Sequence, residues 1–265
     1  MTVSQLRDLL WSLHPGLDKE KTVDQIIAGP DQEIRQAAVC WMPYSWAIRE
    51  AASGGANLLV THEPTFYDHF EFRQGLDQKF FEAKTEKEKL IQGLDITILR
   101  CHDVWDAVPE IGVPDSWGHF LGLGDPVASS TYHRLYRVEP GTALEASKRI
   151  AERTKEAGQS TLAFYGDPEA RVETIGIGTG CCSSPHDLFA LGADMTLCVD
   201  DIIRSWIDGE WASDTGKPIL VVNHGVSEAC AMESLASKIK SLLPRVPVSL
   251  IQQGCSYLEV RASAP

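Results

Sequence analysis

Val3, Leu6, Leu10 and Leu13 recur at helical spacing and are followed by His14-Pro15-Gly16. This pattern predicts an amphipathic helix closed by a turn. Beyond it, short apolar runs alternate with stretches of helical periodicity. The runs at residues 37–41, 58–61, 96–101, 132–138, 174–178, 195–199, 219–223 and 246–251 read as strands. Residues 46–52, 79–92, 143–156, 185–191 and 227–243 read as helices, and residues 117–123 as a packed helix. Strand–helix alternation of this kind predicts an α/β fold with largely parallel strands. Placing Gly55-Ala56-Asn57 on Gly192-Ala193-Asp194 superimposes the strand at 37–41 on that at 174–178, and 58–61 on 195–198, without a gap. The expectation is therefore two related lobes, residues 1–125 and 126–265, joined at Gly122-Leu123-Gly124-Asp125-Pro126.

Composition narrows the class. The formal charge of −13 over 265 residues disfavours unaided binding to nucleic acid, whose phosphates would be repelled. No apolar run approaches the roughly 20 residues needed to span a bilayer, and Arg7 and Asp8 interrupt the one apolar stretch near the start. Seven cysteines without metal-finger or redox spacing read as free thiols in a reducing cytoplasm. Adjacent Cys181 and Cys182 read as turn residues with diverging side chains rather than as a metal pair.

Three strands run directly into histidine. Leu58-Leu59-Val60-Thr61 precedes His62-Glu63, the strand ending at Cys101 precedes His102, and Ile219-Leu220-Val221-Val222-Asn223 precedes His224. The carboxyl ends of parallel strands share one edge of an open α/β sheet, and ligands bind there. Each histidine has a carboxylate close by: Glu63 adjacent, Asp106 four residues beyond His102, and Glu228 four residues beyond His224. A single histidine at a strand end reads as a capping or core hydrogen bond. Three of them with carboxylates favour a metal site in the cleft at the strand carboxyl ends, with ligands suited to zinc, iron or manganese.

The wording of these segments carries a resemblance. Thr61-His62-Glu63-Pro64-Thr65-Phe66, the stretch from His102 to Pro109 followed by Gly112-Val113 and Asp115, and Asn223-His224-Gly225-Val226-Ser227-Glu228 resemble three motifs of one family. That family is the dinuclear-metal-centre hexameric proteins, also labelled GTP cyclohydrolase I type 2 homologues or NIF-three-like. The turn Gly178-Thr179-Gly180-Cys181-Cys182-Ser183 stands where the family carries a Gly/Ser-rich loop. The resemblance implies a homo-hexamer and two divalent ions held by His62, Asp106, His224 and Glu228, with Glu228 as a bridge. The family's second histidine is Glu63 here, and its carboxylate is expected to ligate in that histidine's place and to shift preference from zinc toward iron or manganese. His102 matches a family histidine and is the candidate catalytic residue, orienting a ligand or shuttling a proton. The stretch between Leu123 and Arg171 is too short for the domain that longer members insert. In the loop after the first motif, Phe66, Tyr67, Phe70 and Phe72 are candidate walls of the cleft, while Asp68 and His69 read as solvated.

Two ions bridged by a carboxylate suit metal-assisted hydrolysis. The leading expectation is a cytoplasmic hydrolase of a small, nucleotide- or pterin-like molecule, with no nucleic-acid or membrane partner. The alternative is a metal-binding, metal-delivery or scaffold protein without catalysis. Gly176-Ile177-Gly178-Thr179-Gly180 lacks the Lys-Ser/Thr ending of a phosphate-binding loop.

Overall fold

The computed structural model describes residues 1–71 and 78–260. They form two compact units: Met1–Gly112 with Ala231–Gln252, and Val113–Cys230 with the residues from Gln253 onward.

The first unit opens with helix α1 (Val3–Trp11), whose N-terminus is fixed by a reciprocal cap. Gln5 donates its backbone N–H to the Thr2 hydroxyl, and Thr2 donates its own to the Gln5 side chain. Val3, Leu6 and Leu10 form the buried stripe, as their spacing predicts. Strands β1 (Ile26–Ala28), β2 (Ala37–Cys40), β3 (Leu58–Thr61) and β4 (Thr97–Arg100) follow, with helices α2 (Ser45–Ser53) and α3 (Phe81–Gly93) as crossovers and the short helix α4 (Asp103–Ala107) after β4. The chain returns to this unit near its end with α10 (Met232–Leu242) and β11 (Val248–Leu250). The described strands order as β1-β4-β3-β2-β11, parallel except for β1. Val39, Val60 and Leu99 lie in register across β2, β3 and β4. Every residue of these three strands is buried, as expected of parallel strands covered on both faces.

The second unit contains α5 (Val113–Phe120), β5 (Ala128–Ser129), β6 (His133–Thr142), α6 (Ala143–Thr154), β7 (Ala163–Tyr165), β8 (Arg171–Gly178), α7 (Pro185–Ala190), β9 (Met195–Val199), α8 (Glu210–Thr215), β10 (Ile219–Val222) and α9 (His224–Ala229). Its described strands order as β5-β6-β8-β9-β10-β7. β8, β9 and β10 are parallel, and the flanking strands are antiparallel. Thr142 and Glu145 cap α6 reciprocally, and Ala143, Ala146 and Ile150 bury its inner face. Trp117 is fully buried and stacks on Phe120, so α5 is the packed helix its sequence suggests.

The α/β class and the parallel strands are therefore present. The two units share a run of three adjacent parallel strands joined by helices, β2-β3-β4 and β8-β9-β10. In each, the third strand feeds a short helix, α4 or α9. One helix expectation is corrected: residues 227–243 are two helices, α9 and α10, separated at Cys230-Ala231. No Gly or Pro marks that break, so the apolar periodicity reads through it. No helix among the described residues is long and apolar enough to cross a membrane.

Candidate metal-binding sites

In the first unit, β3 delivers His62 and Glu63 past its end, and β4 delivers His102 and, through α4, Asp106. His62 is fully buried. Its Nδ1 lies 3.3 Å from the carbonyl of Cys101, which can only accept, so Nδ1 carries the proton and Nε2 presents its lone pair. That Nε2 stands 3.5 Å from Asp106 Oδ1. His102 stacks on His62 with ring centroids 4.5 Å apart, and its Nδ1 lies 3.1 Å from Asp103 Oδ1 and 3.4 Å from Asp106 Oδ2. Donor atoms of His62, Glu63 and His102 all fall within 4.8 Å of one another, so these three can hold a metal ion. The structure thus places His102 among candidate ligands as well as beside candidate proton partners.

Buried carboxylates set this geometry. Asp24, itself buried, accepts the backbone N–H groups of His102 and Asp103 through Oδ1, and that of Val104 through Oδ2. These are orphan donors at the start of α4, so Asp24 caps the helix from outside it. Burial raises the Asp24 pKa, against the pull of those N–H bonds. Burial would lower the pKa of His102, but Asp106, Asp103 and Glu63 outweigh it and raise the group to about 9.

Glu63 faces a buried cation. Arg100, the last residue of β4, is 1% exposed, and its guanidinium must therefore be met by acceptors. It donates to the carbonyls of His62 (3.0 Å) and His69 (2.7 Å), and lies 3.7 Å from Glu63 Oε2 and 3.8 Å from Glu71 Oε1. The departure of Glu63 from the family histidine is thus accompanied by a buried positive charge at the same spot. His69 is more than a solvated loop residue. Its Nδ1 faces Arg100 at 3.3 Å, its ring meets His102 edge-on, and burial followed by the nearby His102 and Arg100 charges lowers its pKa to about 4. Phe66 belongs to the hydrophobic core of this unit rather than to a cleft wall, and Tyr67 stacks on Phe80. Phe72 lies outside the described residues.

The second unit repeats the arrangement. His224 opens α9, directly after β10, and its Nε2 lies 3.0 Å from Glu228 Oε2, one helical turn on. Its Nδ1 lies 2.6 Å from Asp201 Oδ2, and its backbone N–H donates to Asp200 Oδ1 at 3.0 Å. Asp200 thus meets the first N–H of α9, where Asp24 meets three at the start of α4. The bond to His224 lowers the pKa of Asp201. Gly180, at φ +52°, brings bare backbone against the pair: a Cβ there would lie 2.7 Å from Glu228 Oε1 and 3.3 Å from His224 Nε2.

The donor set suits a divalent ion. In both units an imidazole is fixed at Nδ1 by an acceptor and turns Nε2 toward a carboxylate, the orientation in which metal-ligating histidines are held. Gly180 keeps one such pair free of steric intrusion. Sequence reasoning missed Asp24, Asp201 and Arg100. Asp201 was accessible to the same strand-end argument as the histidines, because it stands two residues beyond β9. Asp24 had no such signal, since its role depends on a loop distant in sequence.

Known proteins resemble this chain in sequence and in fold. A Streptomyces coelicolor protein named GTP cyclohydrolase 1 type 2 homolog is 29% identical over 208 residues, 73% of this chain and 69% of that protein. A hypothetical protein of Staphylococcus aureus matches the fold with a TM-score of 0.78 at 18% identity, covering 98% of this chain and 99% of the other. A Bacillus cereus protein related to NIF3 matches with a TM-score of 0.79 at 12% identity, with the same coverage. Since residues 1–254 match the Duf34/NIF3 (NGG1p interacting factor 3) family, the chain belongs to that family.

Proposed function

We propose that this protein is a divalent-metal-dependent hydrolase of a small, nucleotide- or pterin-like molecule. One observation carries the reading: each unit fixes an imidazole by its Nδ1 and points its Nε2 at a carboxylate, His62 at Asp106 and His224 at Glu228. His62, Glu63 and Asp106 would hold one ion, and His224 and Glu228 a second, with zinc, iron or manganese all compatible with these donors. Such ions supply Lewis acidity to a hydrolytic reaction. The residues of the chain do the rest. Cys101 and Asp201 hold the two imidazoles in their ligating tautomers, and Asp24 fixes the start of α4. His102 holds a proton between Asp103 and Asp106, within reach of both. The substrate class follows the name of the Streptomyces relative, GTP cyclohydrolase 1 type 2 homolog. A closed assembly of six copies belongs to the same proposal, through the family resemblance.

The test is a substrate screen of purine nucleotides, pterins, phosphoesters and cyclic amides with metal-loaded protein. Turnover that is lost in Asp106→Asn and in Glu228→Gln supports the reading. Absence of turnover for every class, with both ions bound, would favour the metal-delivery alternative. Light scattering of a particle at the 29.2 kDa of one chain would reject the assembly.

A further inference from the structure

His224 has a carboxylate on each ring nitrogen, Glu228 at Nε2 and Asp201 at Nδ1. A neutral imidazole has one N–H, so only one of these two faces can offer a lone pair at a time. A thiol stands close by: Cys181, Asp201 and His224 offer ligand atoms all within 4.8 Å of one another, and of these Asp201 lies at Nδ1. The fold brings them together by a simple rule. Cys181 follows β8, Asp201 follows β9 and His224 follows β10, three adjacent parallel strands whose carboxyl ends share one edge. Cys181 sits in the 3-10 turn Gly180–Cys182 and is solvent-exposed, so an ion can reach it.

We propose that Cys181, Asp201 and His224 form a second metal position, selective for thiolate-seeking divalent ions such as zinc or cadmium. This rests on the reading of His224 as a ligand. The two positions lie on opposite faces of the same imidazole and exclude one another. With Nδ1–H bound to Asp201, Nε2 serves an ion beside Glu228, through nitrogen and oxygen donors that suit manganese or iron. With Nε2–H bound to Glu228, Nδ1 serves an ion beside Cys181 and Asp201, and the thiol proton passes to solvent on binding. Three protein ligands leave the fourth tetrahedral position of zinc to solvent, so the ion stays exchangeable. The nature of the ion therefore selects the face, and a thiophilic ion displaces a harder one from His224 without touching the ligands of the first unit.

The experiment titrates metal-depleted full-length protein with cobalt(II) and with manganese(II), in wild type, Cys181→Ser and Cys182→Ser. Wild type and Cys182→Ser should show the near-ultraviolet thiolate-to-cobalt charge-transfer band. Cys181→Ser should lose it, with cobalt affinity at this position falling by about tenfold or more. Manganese affinity in Cys181→Ser should stay within about twofold of wild type. A wild type without the band, or a band that survives in Cys181→Ser, overturns the proposal. So does manganese affinity that falls with the cobalt band, because the two positions would then be one. Failure of wild type to bind manganese, with the band intact, would instead sink the hydrolase reading and leave this position standing.

Discussion

Replacing Gly180 with alanine should injure metal binding far more than folding, and the geometry gives the size of both effects. Gly180 sits at φ +52°, a left-handed conformation that costs an L-residue about 1–2 kcal/mol. At about 2–4 °C per kcal/mol for a chain of this size, the melting temperature should fall by a few degrees. The new Cβ would stand 2.7 Å from Glu228 Oε1 and 3.3 Å from His224 Nε2. Glu228 is 3% exposed, so its carboxylate has little room to retreat, yet it must move by roughly half an ångström to restore van der Waals contact. Metal–ligand distances tolerate only about 0.2 Å. Affinity for manganese at the His224–Glu228 pair should accordingly drop about 10- to 100-fold, the scale of losses when a ligand's support is disturbed. Calorimetric titration with manganese, paired with thermal unfolding, reads both effects. Gly124→Ala is the control, because a Cβ there meets nothing within 4 Å and the backbone is not left-handed. Affinity within twofold of wild type in Gly180→Ala would refute the reasoning.

Glu63→Ala should lose one ion, and the buried Arg100 should lose a counter-charge, at a cost of about 1–3 kcal/mol that Glu71 partly offsets. Glu63→His should keep two ions and favour zinc; retention of both ions at wild-type affinity in Glu63→Ala would remove Glu63 from the ligand set. Lys87 is buried, donates to the Thr65 carbonyl, and has its pKa lowered by burial to about 8, against the pull of Glu71 and Cys40. Between that value and 10.5 the unfolded chain binds a proton that the folded chain does not, so this group makes stability rise with pH across the window, by at most about 3 kcal/mol. Denaturant unfolding at pH 7.5 and pH 10 should show that increment in wild type relative to Lys87→Met; equal pH dependence in the two proteins would contradict it.

What could be read from sequence was local and periodic. The strands leading to His62, His102 and His224 were legible because fully buried parallel strands appear as largely apolar runs, and the histidines stand just past them. The i,i+4 spacing of His102 to Asp106 and of His224 to Glu228 was equally visible, and it places both pairs on single helical turns. The short edge strands β1, β5 and β7 were not legible, because two or three residues carry no period. The pairing of β11 with β2 escaped for another reason, since a strand's partner is not encoded in its own pattern. Arg100 is the clearest case. Within an apolar run it looks like an interruption, and only its acceptors, the carbonyls of His62 and His69 and the carboxylates of Glu63 and Glu71, explain a buried guanidinium there.

The central claim is that these ligand sets hold two divalent ions, and elemental analysis of protein purified without added metal tests it most directly. Wild type should carry two divalent ions per chain. Asp106→Asn should deplete mainly one of them, and Glu228→Gln mainly the other. A wild-type chain that carries no divalent metal, or a Glu228→Gln chain with its metal content unchanged, would contradict the account.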